Sequence, residues 1–273
     1  MVRGIRPHIE YRTIEALKLC PCHCRPISMK PSFRQIAKRV AGQTVAAVRR
    51  IGKRVIIDLE SSDSMVIEPR MTGLMLVADP PNQTHLRLHW KFTAQAGSPK
   101  ALRDLWFWDR RGLGTFALFE TDALNEELES RLGPDALAIT ESEWSERCGR
   151  TTRAIKVAML DQKFVAGIGN LYASEILNIA KVSPRKSANK LKATHIQRIH
   201  AATLTVLKTA IKYEGSTLGD GTYRNALNKD GGYQNQHRVY ARTGETCPGC
   251  KRGKVKRIVQ AQRSTFYCGN CQR

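Results

Sequence analysis

Between Val45 and Val77 the chain reads VAAVRRIGKRVIIDLESSDSMVIEPRMTGLMLV, short bursts of Val and Ile cut by Gly, Asp and Ser clusters. That punctuation predicts several short strands. HLRLHWKF (85–92) and LWFWDRRGLGTFALF (105–119) continue the strand pattern, with TAQAGSPKALRD between them as a turn or insertion. After Asp122 the apolar period lengthens. DALNEELESRLG, TTRAIKVAMLDQ, NLYASEILNIAKV and ATHIQRIHAATLTVLKTAIKYEG read as helices, the first stopped by Gly133 and the last by Gly215. The polar, glycine-rich stretch DGTYRNALNKDGGYQNQH then reads as a long mobile loop, and loops of that length are more often functional than not. The tail returns to a strand pattern and carries four cysteines. The expected class is therefore α+β and multidomain: a β domain over 1–122, a helical domain over 123–235 and a cysteine-rich unit over 236–273.

Those four cysteines form two Cys-x-x-Cys knuckles, Cys247–Cys250 and Cys268–Cys271. Two such turns can bring four thiolates tetrahedrally onto one structural zinc ion. Disulfides and a redox dithiol compete with this reading, but the first belong to oxidising compartments and the second needs one pair rather than two. A bound ion would also explain how a chain terminus stays ordered. The segment between the knuckles, KRGKVKRIVQAQRSTFY, alternates enough to form a β-hairpin, whose tip near 261–264 would present Arg263 to a phosphate backbone. Cys20, Cys22 and Cys24, in CPCHC, are expected to be free thiols. Alternate cysteines on a strand share a face, but His23 would then point away, and the spacing fits no common zinc knuckle.

Charge separates the two halves of the chain. Lys and Arg total 45 against 24 Asp and Glu, a net +21. Residues 1–149 hold 22 basic and 18 acidic residues (+4), whereas residues 150–273 hold 23 and 6 (+17). A field so one-sided favours a polyanionic partner, and nucleic acid is the expected one. No apolar run reaches the length of a membrane span and the N-terminus lacks a signal-peptide stretch, so a cytoplasmic or nucleoid-associated protein with no membrane partner is expected; a monomer is expected as well.

DQKFVAGIGNLYASEIL sets a Gly-x-Gly-Asn turn at the start of a helix, with Asn170 expected as its capping residue. Exposed backbone N–H groups and the positive end of the helix dipole suit such a turn to holding a phosphate. GIGNLYASEIL, the terminal YARTGETCPGC and AQRSTFYCGNC, and GSTLGD, RMTG and DRRGLGTF together resemble, in the same order over nearly the whole chain, the formamidopyrimidine-DNA glycosylase family. The resemblance implies an N-terminal β-sandwich, a helix-two-turn-helix domain and a C-terminal β-hairpin zinc finger. It also implies base-excision repair: removal of oxidised purines, chiefly 8-oxoguanine and formamidopyrimidines, from duplex DNA containing oxidised or abasic sites, and cleavage of the abasic strand by β,δ-elimination. By position, Asn170 resembles the family's phosphate-binding asparagine, Arg263 its finger arginine and Lys53 its lysine near the abasic site. Met71, Arg111 and Leu113 resemble the three residues that fill the hole left by an everted base. Lys156 is a further candidate phosphate contact.

The family pattern starts with a short segment whose N-terminal proline amine is the nucleophile and whose adjacent glutamate is the general acid. MVRGIRPHIE resembles the part of the first helix that follows that segment, and neither group is in the sequence given. The favoured expectation is that the true start lies upstream of Met1, because the lesion-side residues remain in place. The alternative is a non-catalytic binder of lesion or abasic DNA. Glu68 and Gln83 stand where family members often have histidine.

Overall fold

The computed structural model describes residues 1–94, 103–219 and 221–273, so most of the turn or insertion expected between the two strand segments lies outside the described residues. The chain divides into two compact units, one formed by Met1–Leu128 with Glu214–Gln234 and the other by Glu129–Tyr213 with Asn235–Arg273.

The first unit opens with helix α1, Val2–Ile9, whose Ile5 and Ile9 lie one turn apart and are buried. Strand β1 (Ile14–Leu19) and the short β2 (Ser28–Lys30) follow, then helix α2 (Phe33–Val40). Ser32 and Gln35 close a reciprocal capping box at the start of α2, which fixes where that helix begins. Strands β3 (Val45–Ile51), β4 (Arg54–Leu59), β5 (Asp63–Glu68), β6 (Gly73–Leu76), β7 (Leu86–Phe92), β8 (Asp104–Asp109) and β9 (Thr115–Glu120) complete two sheets, in the orders β1-β7-β8-β6 and β2-β9-β5-β4-β3. Every pairing is antiparallel except β2 with β9. Trp90, Phe92, Phe107 and Phe116 meet with the Ile and Val residues of β3–β5 in one buried cluster, the core between the sheets of a β-sandwich.

Residues 214–234 belong to this unit rather than to the helices with which they were grouped from the sequence. Ala226 is buried in the sandwich cluster, and its carbonyl accepts from Val77 N at 2.9 Å. Nor is the described part of the stretch a bare loop. Gly231 N donates to Thr217 Oγ1 at 2.9 Å, and Asn225 Oδ1 accepts from Leu227 N and Lys229 N at 3.0 and 2.9 Å, so its own side chains satisfy its backbone.

Helix α3 (Thr121–Arg131) leads into the second unit, which contains α4 (Glu141–Gly149), α5 (Ile155–Leu160), α6 (Asn170–Ile179), α7 (Ala193–Lys212) and a hairpin of β10 (Val255–Gln260) with β11 (Arg263–Cys268). Helix α4 was not anticipated, although Thr140 and Glu143 form its capping box. The predicted helix over 151–162 shrinks to α5. Its first residues are drawn instead into a bridge between Ala154 and Ser187, with Ile155 N donating to Lys186 O at 2.8 Å. No helix among the described residues is long and apolar enough to cross a membrane.

Candidate nucleic-acid interface

In the sandwich unit, four of the singled-out residues stand on turns brought together by strand register. Lys53 occupies the exposed tip between β3 and β4, where Gly52 adopts a φ of +57°. The next residue, Arg54, lies 3.5 Å from Glu68 at the end of β5. Met71 follows Glu68 in the β5–β6 connection and is 72% exposed, so it is not a core side chain. Glu68 also pairs in register with Thr115, the first residue of β9, just beyond the turn that carries Arg111 and Leu113. Glu68 does not leave a bare negative charge here, because Arg70 at 3.1 Å joins Arg54 around it.

The Arg111 turn is held by a residue that sequence reading missed. The buried Asp109 accepts from Gly114 N at 2.8 Å through Oδ2 and from Arg111 N at 3.2 Å through Oδ1. Thr72 Oγ1 donates to Asp109 Oδ1 and itself accepts from Arg111 N at 3.1 Å. One carboxylate therefore locks the Met71 and Arg111 turns together. Its signal in the sequence is slight: a single acid closing the apolar run LWFWD ahead of a glycine turn. Gly112 shows the tightness of the arrangement, since a Cβ there would come within 2.2 Å of Arg25 O.

The second unit gathers the remaining residues around the first turn of α6. Gly169, not Asn170, occupies the capping position, and no side chain caps the helix. Asn170 is instead the first helical residue, and its Nδ2 donates to Ser264 O on the hairpin at 3.0 Å. Lys156 is fully buried. Its ammonium donates to Asn170 Oδ1 at 2.7 Å, Thr265 Oγ1 at 2.8 Å and Ser264 O at 3.2 Å. An ammonium has three donors, so these contacts occupy Lys156 fully and leave none for a phosphate. Burial first, and the Arg263 cation second, lower its pKa from 10.5 to about 8. Arg263 itself is exposed at the start of β11, paired with Gln260 across a turn in which Ala261 and Gln262 have φ of +45° and +60°. Two consecutive left-handed residues are what a tight primed hairpin turn requires.

Cys247, Cys250, Cys268 and Cys271 converge so that all four sulfurs lie within 4.8 Å of one another. Cys247 Sγ is 3.9 Å from Cys271 Sγ, and Cys250 Sγ is 3.7 Å from Cys268 Sγ. Thiolates at zinc–sulfur bond length on a tetrahedron stand about 3.8 Å apart, so the donor set fits a metal ion of that kind. Gly253 N donates to Cys250 Sγ at 3.3 Å, the type of outer contact that orients a metal ligand. The C-terminus is tied down as well. Gln272 Oε1 accepts from Cys268 N at 2.8 Å and from Asn178 Nδ2 at 3.0 Å, while its Nε2 donates to Val182 O at 3.0 Å.

Glu175 of α6 was also missed. Its buried carboxylate accepts from the backbone N–H groups of Arg238, Val239 and Tyr240 at 2.8, 3.0 and 2.8 Å. Burial raises its pKa, and those three hydrogen bonds oppose the rise. A lone acid within an otherwise apolar helix stretch, SEILNIA, was the available clue.

The CPCHC stretch departs from expectation. Cys22 and Cys24 form a disulfide, and only Cys20 of the three is free. Both bridged sulfurs lie beside His85, from a distant part of the sequence, rather than His23.

Residues 1–116 match the family model described as the formamidopyrimidine-DNA glycosylase N-terminal domain, and residues 132–221 match its H2TH domain. The chain is 34% identical over 274 residues to the formamidopyrimidine-DNA glycosylase of Chloroflexus aurantiacus, covering 100% of this chain and 94% of the relative. It is also 34% identical to the enzyme of that name from Lactococcus lactis subsp. lactis, covering 99% of this chain and 97% of the relative. Among solved structures, the complex of Lactococcus lactis Fpg with abasic-site DNA superposes with a TM-score of 0.84 at 30% identity, covering 100% of this chain and 98% of that one. The complex of the same enzyme with DNA containing N7-benzyl-Fapy-dG gives 0.85 at 30% identity and the same coverage. With a sandwich, a two-turn helical unit and a four-cysteine hairpin in the shared order, the chain belongs to the formamidopyrimidine-DNA glycosylase family.

Proposed function

We propose that this chain is a DNA glycosylase and abasic-site lyase that removes oxidised purines, 8-oxoguanine and formamidopyrimidines, from duplex DNA and cuts the resulting strand by β,δ-elimination. The observation that carries the reading is similarity along the whole chain to formamidopyrimidine-DNA glycosylases, one of which, from Lactococcus lactis, was solved in complex with abasic-site DNA and with DNA containing N7-benzyl-Fapy-dG. The alternative of a non-catalytic lesion binder is not favoured by that similarity.

The residues divide the work along physical lines. An everted base leaves a gap in the stack and an unpaired partner. Met71 fills the gap with an exposed apolar side chain, Leu113 adds to the wedge, and Arg111 offers hydrogen bonds to the partner base. Lys53 serves as a phosphate ligand and proton carrier near the abasic site. Arg263 grips the phosphates beside the lesion, and Asn170 binds phosphate at the α6 turn. Lys156 acts through Asn170, holding the amide while its own charge stays buried. The four tail cysteines hold one structural zinc ion, which when bound crosslinks the hairpin and takes no part in the reaction. The sandwich serves the lesion side, and the helix-two-turn-helix unit and the finger serve the phosphates, in a monomer that works at the nucleoid.

A duplex carrying one 8-oxoguanine opposite cytosine tests this. Protein that carries the family's N-terminal proline and glutamate is expected to release the base, cut the strand and leave an undamaged duplex intact, and borohydride is expected to trap an imine between its proline amine and the DNA, whereas the sequence given, which holds neither group, is expected to give little or no trapping. Tight binding of the lesion duplex with neither release nor cutting would select the binder instead.

A further inference from the structure

The CPCHC stretch lies outside everything assigned so far, yet the fold places a third soft ligand against it. Cys22 Sγ, Cys24 Sγ and one ring nitrogen of His85 all lie within 4.8 Å of one another, and Nδ1 of His85 is 3.5 Å from Cys24 Sγ. The three residues are half-buried, so the cluster is sheltered but reachable. The His85 ring meets Trp108 edge to face at 5.4 Å, which restrains its orientation. The carbonyl oxygen of Thr84 lies 3.0 Å from Cys22 Sγ and 3.3 Å from Cys24 Sγ. Arg87, buried, donates to Cys22 Sγ at 3.2 Å and to Arg25 O at 2.9 Å, fixing the loop around the cysteines. Cys20 is not part of the cluster, because it packs instead against the apolar group of Leu74, Leu76, Leu86 and Trp108.

We propose that Cys22, Cys24 and His85 form a second metal site, for a thiophilic ion such as Zn(II), which is available when the two cysteines are reduced and abolished when they are bridged. Two thiolates and an imidazole are a donor set that zinc accepts, with the fourth position left to water or to the Thr84 carbonyl. The same sulfur lone pairs cannot be used twice, so bridge and ion exclude each other. The interconversion balances without any group from the protein beyond the two cysteines. Two molecules of a low-molecular-weight thiol together give two electrons and two protons to the Cys22–Cys24 bridge, forming two protein thiols and one small disulfide. Zn(II) then displaces the two thiol protons. The reverse reaction, with a small disulfide as oxidant, releases the ion.

The site would lie directly behind the Arg111 turn. His85 O accepts from Asp109 N at 2.9 Å, and Asp109 O accepts from Arg87 Nε at 2.9 Å. The proposal itself does not rest on the DNA reading, and its test is a metal count rather than an activity.

Full-length protein is equilibrated with Zn(II) after treatment with a small thiol or with a small disulfide, desalted, and its metal counted alongside its free thiols. Reduced protein is expected to hold one more ion per chain than oxidised protein. The double variant Cys22→Ser/Cys24→Ser gives the count of the tail cysteines alone and is expected not to change with redox state. His85→Gln retains the bridge but is expected to lose the additional ion. If reduced wild-type protein shows both thiols titratable with Zn(II) in excess and gains no ion, the proposal is overturned. It is equally overturned if the extra ion persists in the double variant.

Discussion

Lys156 Nζ lies 2.7 Å from Asn170 Oδ1, linking α5 to the first turn of α6, and the same ammonium reaches Thr265 Oγ1 on the hairpin at 2.8 Å. Asn170 completes the triangle by donating to Ser264 O at 3.0 Å. The residue with the greatest claim to a phosphate at the helix turn is thus oriented by a buried cation that cannot itself reach solvent. Its amide is set by two partners on separate elements, so the helix turn and the hairpin are positioned as one.

Replacing Lys156 by Met separates orientation from charge. The change strands acceptors on Asn170, Ser264 and Thr265, at ~1–3 kcal/mol for each that finds no water, but it also removes an ammonium from a desolvated place. These effects oppose each other, so global stability is expected to shift by no more than about 2 kcal/mol. Affinity for a lesion duplex is expected to fall at least roughly tenfold, which is about 1.4 kcal/mol. Chemical denaturation and a binding titration on the same preparation check both. Unchanged affinity would remove Lys156 from any role in the grip.

The lowered pKa of Lys156 makes stability depend on pH. Its folded value of about 8 lies below the ordinary 10.5, so between those pH values the unfolded chain holds a proton that the folded chain has released. Stability rises with pH wherever the unfolded state binds more protons. The cost of the buried charge is therefore fully present below about pH 8 and is relieved as the pH approaches 10.5. Denaturation midpoints measured across this window are expected to climb in the wild type relative to Lys156→Met. Parallel curves would show that Lys156 titrates normally.

Much of this arrangement can be read along the chain, and the parts that cannot share a cause. Strands β3 to β9, α6, α7 and the cysteine hairpin carry local signals: Val and Ile bursts, helical spacing, glycine stops and Cys-x-x-Cys pairs. Helices α2 and α4 were not anticipated, because only the capping pairs Ser32–Gln35 and Thr140–Glu143 signal them and their flanking apolar patterns are short. Nor were Asp109, Glu175 and His85. Each has a partner distant in sequence, and nothing at the residue itself announces one 61 positions away, as for Cys24 and His85. Lys156 shows the converse: its basic context suggested a surface contact, whereas its three acceptors place it inside.

Met71 offers a test that distinguishes a wedge from a packing residue. With 72% of its surface exposed, Met71→Ala is expected to change stability by no more than about 0.5 kcal/mol. Excision of 8-oxoguanine is expected to slow by roughly tenfold, since the apolar support for the gapped stack is lost. A stability loss without a kinetic one would return Met71 to the core.

Glu175 is expected to be among the costliest single positions of the second unit. Ala in its place would leave the N–H groups of Arg238, Val239 and Tyr240 without their acceptor in a buried setting. The combined penalty is on the order of 3 kcal/mol or more. Glu175→Gln keeps one acceptor oxygen but turns an N–H towards another N–H, so an intermediate loss is expected. Equilibrium denaturation of both variants checks the order, and equal losses would show that the carboxylate's second oxygen contributes nothing.

Cys250→Ser probes how much of the grip depends on the tail. The hairpin's own apolar cluster consists of Val239, Val255 and Phe266 with Tyr240 against it, too small a core to order the tail unaided. Structural zinc contributes an apparent ~10–16 kcal/mol to units of this kind, so losing one thiolate is expected to unfold β10 and β11. Trp90, Trp106 and Trp108 all belong to the sandwich strands, and their near-ultraviolet signal is expected to persist. Hydrogen exchange would report lost protection at 255–268 while the sandwich amides stay protected. With Ser264 and Thr265 displaced, Asn170 and Lys156 lose the partners that orient them, and lesion-duplex binding is expected to disappear. Retained affinity in protein whose hairpin exchanges freely would mean that the DNA is held by residues other than Asn170 and Arg263.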